Sequence, residues 1–198
     1  VLIIPYLFIE HFQSIDDYAL NPYYATFIRF IKYVSFFISM LLPGIYVAVG
    51  TYHAEMFPPV LLMTFLNSEH ATPFPLTVEA LLIHFLFEIM REAGLRFPKA
   101  VGHAVSIVGA LVIGESAVNA GLVGAPMVII VALTAMSSFV LPSLYGAITI
   151  LRFIFILLGG SLGLYGVMIG VCVFAVSVCA MDVQSIPYMA PITPFSPR

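Results

Sequence analysis

Long uncharged apolar runs alternate with short polar breaks along this chain, and the lengths of the runs carry the first information. From Tyr33 to Tyr52 no charged residue appears, so this run can cross a bilayer that needs about 20 helical residues. Arg29 and Lys32 stand just before it, where the positive-inside rule holds that end in the cytoplasm. Pro43 and Gly44 fall in its middle, either as a simple kink or as a break lining a cavity. Met56 to Phe65 is apolar but brief, carries Pro58 and Pro59, and is flanked by His53, Glu55, Glu69 and His70. A re-entrant or interfacial helix suits it better than a span. Pro73 and Pro75 then license a new helix at Leu76, which ends near Gly94 with Arg96, Pro98 and Lys99 behind it.

Further apolar segments follow: Ala100 to Gly114, ending at Glu115; Leu122 to about Tyr145, broken by Pro142; and Phe153 to Met181, which carries no charge. Each is long enough to cross, the first only just. In the last, Gly159, Gly163, Gly166 and Gly170 fall on one helix face at about 100° per residue. Such a stripe predicts a packing seam, within the subunit or between subunits. Residues 1–26 read as the end of a truncated soluble domain and its linker, because Val1 to Ile9 is too short to span and Glu10, Asp16 and Asp17 follow. The chain opens with Val1 and shows no signal peptide, so it reads as a fragment. Residues 183–198, with Pro187, Pro191, Pro194 and Pro197, read as a truncated, extended tail. The expected fold is therefore an all-α integral membrane protein: a multi-span helical bundle over residues 27–182, with about four to five transmembrane helices plus interfacial or re-entrant helices.

Composition supports this: 62% hydrophobic residues, 9% charged residues and a mean hydropathy of +1.10 do not describe a solvated skin around a core. The net charge of −3 adds little, and with no basic tract nucleic acid is not an expected partner. Cys172 and Cys179 would lie about 10 Å apart on one helix, too far to bridge, and read as core thiols. No Cys or His pair has metal-ligand spacing, no Gly-x-Ser-x-Gly occurs and no phosphate-binding glycine loop is present. The reading assigns no enzyme activity, catalytic residue, metal or cofactor.

The helix from Leu76 to Gly94 breaks the pattern by gathering Glu79, His84, Glu88, Arg91 and Glu92. His84, Glu88, Arg91 and Glu92 share an arc of about 100°, with Glu79 well away from it. Glu88 and Arg91 stand one turn apart and can neutralise each other, which lowers the cost of residence near lipid. Such a face can lie among headgroups, pack toward partner residues, or line a water-filled passage, and the interfacial arrangement leads on pattern alone. Glu115, beside Ser116 and one turn before Asn119, reads as an interfacial carboxylate ahead of a cation-attracting ring residue. Thr134, Ser137, Ser138, Ser143 and Tyr145 surround Pro142, where hydroxyls either satisfy freed carbonyls or line a polar path. The candidate ion path or polar helix face is thus His84, Glu88, Arg91, Glu92, Glu115, Asn119, Ser137, Ser138 and Ser143.

The segments "LLPGIYVAVGTYHAEMFPP", "PFPLTVEALLIHFLFEIMREAGLRFPKAVGHAVSIVGALVIGESAV" and "PYMAPITPF" resemble the membrane domain of the GerA family A subunit of spore germinant receptors, from about Tyr6 to Phe195. The resemblance implies an integral protein of the inner spore membrane of an endospore-forming bacterium. It would work with B and C type subunits and membrane lipid, and would form a homo-oligomeric, nutrient-gated cation channel that triggers germination. Nutrient recognition would belong mainly to the B partner. Pro43, Tyr46, Glu55, Glu79, Glu88, Arg91, Glu92, Gly94, Arg96, Pro98 and Lys99 fall on the family's motifs. At Glu115 the chain departs from them: the family has an amide there and a carboxylate one turn later, whereas here Asn119 comes second. Two alternatives stand beside the channel: a transport subunit using alternating access, suggested by Pro43 and Pro142 in corresponding mid-span positions, and a non-conducting scaffold coupling partner subunits. The positive-inside rule favours five spans, while the family's cytoplasmic ends require an even count; four spans with the charged helix flat or partly inserted reconciles them.

Overall fold

The computed structural model describes residues 7–14, 17, 21–96, 114–183 and 186–189, without the side chains of residues 61, 64, 69 and 70. A 3-10 turn at Phe8–Phe12 precedes α1 (Pro22–Tyr52), a second turn at Ala54–Met56, α2 (Pro59–Ala71) and α3 (Leu76–Arg96). A helical stretch at 114–119 leads to α4 (Ala125–Phe139), a 3-10 turn at Pro142–Leu144, α5 (Tyr145–Cys179) and a two-stranded antiparallel ribbon of β1 (Asp182–Val183) and β2 (Ile186–Pro187). The expected span at Ala100–Gly114 lies outside the described residues apart from Gly114, as do Pro98, Lys99 and the tail after residue 189.

Asn21 starts α1 by accepting the Tyr23 N–H at 3.4 Å, with Pro22 in the first turn where its missing N–H is harmless. The helix then runs through Pro43 as one element. Proline removes the hydrogen bond to the carbonyl four residues earlier, here Ser39. That carbonyl instead accepts from Arg152 Nε of α5 at 3.0 Å. Next to Pro43, Gly44 admits the backbone of α5: a methyl group added at Gly44 would stand 2.7 Å from the Phe155 carbonyl oxygen, and one at Gly159 would collide with the Gly44 carbonyl.

α5 corrects the expectation of a single continuous span. At Gly163 the backbone takes φ 65° and ψ −149°, outside the helical region. Beyond it the chain doubles back, since Gly166 packs on Leu158 and Leu162, and Gly170 on Phe155 and Leu158. In a straight helix Phe155 and Gly170 would stand about 22 Å apart. Each arm of this helical hairpin is about 25 Å long at 1.5 Å per residue. The first arm runs parallel to α1, with Arg152 near Ser39 and Gly160 near Tyr52; the second returns antiparallel until Phe174 meets Phe36 at 6.2 Å between ring centroids. Tyr52 closes the turn by donating to the Gly160 and Ser161 carbonyls at 3.1 and 3.0 Å. These carbonyls end the first arm and have lost helical partners. The glycine stripe consequently does not share one helix face: Gly163 makes the turn, Gly159 meets α1, and Gly166 and Gly170 meet the opposite arm.

Two described runs, Pro22–Tyr52 and Pro142–Cys179, are apolar and long enough to cross a membrane by length and composition, the second with its reversal at Gly163. α2 and α4, with 13 and 15 residues, are shorter than a span. Among the described residues this supports an all-α chain with two such runs; the expected four to five spans are not established by them. Two apolar clusters flank α1. Phe36, Met40 and Ala48 pack with Ile148, Phe155 and Val167. On the other side Val47 packs with Phe65, Ala80, Ile83, Met127 and Ile156. Cys172 and Cys179 are free and exposed rather than core thiols, because the second arm of α5 turns them outward. After α5 the chain folds into the ribbon instead of running extended: the Tyr188 N–H donates to Met181 O at 2.9 Å, and the Tyr188 carbonyl accepts from Phe8 N–H at 3.1 Å.

A polar network between apolar helices

The charges of α3 are aimed by helical periodicity, and α5 supplies what they meet. Glu88 Oε1 accepts from Arg91 Nη2 at 2.8 Å and from Arg91 Nε at 3.1 Å, while Glu88 Oε2 accepts from the Tyr145 hydroxyl at 2.8 Å. The Arg91 guanidinium also lies over the Tyr145 ring, 3.5 Å from its centroid. Tyr145 therefore offers α3 both an O–H donor and a π face, and a cation over such a face gains about 0.5–2 kcal/mol. The Glu88 and Arg91 side chains are each 21% exposed, so the network opens at one edge.

Arg152 stands two turns further along α5 and is the largest fully buried side chain among the described residues, 1% exposed. Among the described residues, Glu88, Arg91 and Tyr145 are the charged and titratable groups facing it, the Tyr145 hydroxyl within hydrogen-bonding reach, with His84 behind them. His84 is 1% exposed, its Nδ1 lies 2.8 Å from the Ala80 carbonyl and its Nε2 lies 3.4 Å from Thr134 Oγ1 of α4. A carbonyl only accepts, so Nδ1 carries a proton, and Nε2 faces the Thr134 hydroxyl, which itself donates to Val131 O at 2.8 Å. Polar contacts thus join α1, α3, α4 and α5 inside apolar packing.

The other candidate residues lie apart from this network. Glu92 pairs with Arg96 at 2.9 Å on the exposed side of α3. Glu115 and Asn119 are exposed on the 114–119 stretch. Ser138 donates back to Ala135 O at 2.7 Å, Ser137 is half-buried, and Ser143 donates to His11 O at 3.2 Å. Glu79, which points away from the charged arc as its position predicts, is 2% exposed, and its Oε1 accepts the Gly124 N–H at 2.8 Å at the N-terminus of α4. A carboxylate there suits the positive end of the helix dipole.

Sequence reasoning missed Arg152 and Ser39 as members of the network. It named Tyr145 and Thr134 only as hydroxyls near a helix break. The available signal was Pro43: a mid-helix proline announces an unpaired carbonyl, and Arg152 is the lone cation within the two apolar α5 arms.

A second cluster lies ahead of α1. Asp17 receives Lys32 Nζ at 2.9 and 3.1 Å, the Ser14 N–H at 3.1 Å and the Ser14 hydroxyl at 2.8 Å, with Arg29 Nε at 3.7 Å. Burial alone would push this carboxyl up, but the hydrogen bonds from Lys32 and Ser14 outweigh it and hold its pKa at about 2. Among the described residues, no group of three or more His, Cys, Asp or Glu side chains could hold a metal ion.

Residues 1–198 match the model of the Bacillus/Clostridium GerA spore germination protein. The chain is 48% identical over 198 residues to spore germination protein KA of Bacillus subtilis (strain 168), covering 99% of this chain and 36% of that protein. It is 42% identical to the uncharacterized membrane protein YfkQ of the same organism, over 98% of this chain and 38% of YfkQ. It is 40% identical to spore germination protein GerLA of Bacillus cereus, over 98% of this chain and 40% of GerLA. The chain thus spans well under half of the curated relatives it matches. No solved structure matches it. A whole-length family match, with relatives sharing two-fifths to one-half of its residues, makes this chain a member of the GerA spore germination protein family.

Proposed function

We propose that this chain is the membrane-embedded part of a nutrient germinant receptor subunit, and that copies of it, with B and C type partners in the inner spore membrane, line a gated cation passage. Family membership and relatives named as spore germination proteins support the receptor role. Two apolar runs, and a relative named as a membrane protein, support residence in a bilayer. The observation that carries the passage is the network of Glu88, Arg91, Tyr145 and Arg152 between apolar helices, open at its Glu88 and Arg91 edge. Ionisable groups at membrane depth are costly, and they are retained where they face a passage or one another.

Conductance of the full-length protein in planar bilayers tests this. The unmodified protein should pass cations, and Glu88→Gln should lower cation selectivity, with Glu115→Gln beside it to ask whether the exposed 114–119 stretch contributes. Absence of current, or unchanged selectivity in both variants, would sink the passage. A scaffold reading has one observation in its favour: both Glu88 oxygens are already engaged within the chain. On that reading Glu88→Gln weakens the fold and the assembly while leaving any current unaltered.

A further inference from the structure

The 3-10 turn ahead of α1 is held in place by three other elements. Phe8–Phe12 spans five residues, too few to persist as an isolated helix. Phe12 anchors it: its ring is 1% exposed, stacks on Tyr33 at 4.4 Å between centroids and meets Phe36 edge-on at 5.6 Å, both on α1. Phe8 meets Phe36 edge-on at 5.9 Å and donates its N–H to Tyr188 O at 3.1 Å, in the stretch that follows α5. The His11 carbonyl accepts from Ser143 Oγ at 3.2 Å, in the turn that opens α5. Phe8–Phe12 thus bridges the first half of α1 and the two ends of the α5 hairpin.

That position bears on the polar network. Ser143 stands two residues before Tyr145, and Leu144 between them shares one apolar cluster with Phe12 and Phe36. Through Tyr145, α5 meets Glu88 by a 2.8 Å hydrogen bond and Arg91 by a ring 3.5 Å from the guanidinium. A charge-assisted hydrogen bond weakens steeply as its distance and angle are lost, so a shift of the Pro142–Leu144 turn by about 1 Å is felt at Glu88. On the other side, Asp17 is held to α1 by Lys32 at 2.9 Å, which confines any displacement arriving from the N-terminal direction to the residues ahead of it. Short units with few contacts open without global unfolding. Withdrawal of Phe8–Phe12 would release the Phe12 ring and the bonds at Tyr188 and Ser143, while the helical ladders of α1 and α5 stay whole.

We propose that Phe8–Phe12 is a strap. Seated, it holds the Pro142–Leu144 turn where Tyr145 meets Glu88; displaced through the chain N-terminal to it, it loosens that contact. The device relays movement ahead of Phe8 to the network between α3 and α5, and it stands whether or not that network borders a passage.

Double-mutant cycles between Tyr145→Phe and Glu88→Gln, read by denaturant unfolding of the full-length protein, are the test. In the unmodified protein the two positions should be coupled on the order of tenfold in the unfolding constant, as for a hydrogen bond to a charged group. In a Phe12→Ala background the coupling should fall below about threefold. Ser143→Ala cuts one exposed hydrogen bond, leaves the core filled and should lower the coupling part of the way, which decides the matter if Phe12→Ala does not fold. Phe65→Ala opens the apolar cluster on the opposite side of α1 and should destabilise the protein while leaving the coupling intact. Coupling that persists in full in Ser143→Ala and in any folded Phe12→Ala protein would overturn the strap, as would an equal loss in Phe65→Ala, which would make the effect one of general loosening.

Discussion

Pro43 and Arg152 answer each other across the contact between α1 and α5. Proline withdraws a donor from Ser39 O, and the guanidinium supplies one at 3.0 Å. Arg152→Met should therefore destabilise the protein by about 1–3 kcal/mol, the cost of an unsatisfied buried acceptor. Pro43→Ala should recover part of that loss, and a double-mutant cycle in denaturant unfolding should show the two positions coupled. Tyr145→Phe keeps the ring beneath Arg91 but removes the donor to Glu88; about 1.5–3 kcal/mol is the expected loss for a hydrogen bond to a charged group. Asp17 gives a pH signature of definite sign. Its folded pKa, about 2, lies below its ordinary 3.8, so its stabilisation is complete above about pH 4 and is lost as pH falls toward 2. Acid unfolding should show this loss in the unmodified protein, and Asp17→Asn should remove it.

The α5 hairpin turns on Gly163, and two substitutions separate its turn from its helices. Gly163→Ala forces a side chain into φ 65° with its methyl 3.1 Å from the Tyr52 ring, and should cost about 1–3 kcal/mol. Gly146→Ala in the same element meets open space at ordinary helical angles and should be neutral or stabilise by up to about 1 kcal/mol. Unfolding midpoints of the two variants decide it. The start of α3 was legible along the chain, since the Pro73 and Pro75 pair precedes Leu76, whereas α1 begins at Pro22, inside the stretch that reads as a linker and eleven residues before the charge-free run at Tyr33. The reversal at Gly163 was not legible either. Glycines spaced by three and four residues read equally well as a packing stripe on one helix, and only the contact of Gly166 and Gly170 with the first arm distinguishes a turn from a seam.

Across the molecule, apolar side chains face outward in number: Phe27, Phe30 and Phe37 form one stripe of α1, and Tyr165, Met168 and Val176 stand out on the second arm of α5. So large an exposed apolar surface needs lipid or a partner to cover it. The outward Cys172 and Cys179 turn this into a measurement. If lipid covers the second arm, a charged thiol reagent should leave both unmodified in vesicles, whereas a lipophilic maleimide should label them. Equal labelling by the two reagents would place that arm in water. The amino-acid order was enough for the family and the all-α character, because run lengths, the scarcity of charge and the α3 motif are local properties that need no contacts to read. It also placed Glu88 beside Arg91, since a helix fixes neighbours one turn apart. Which groups meet that pair was decided by tertiary packing alone. Tyr145 and Ser39 lie far from Glu88 in sequence, and only the parallel crossing of α1 and α5 at Gly44 and Gly159, with α3 laid against them, brings Arg152 into the same buried space.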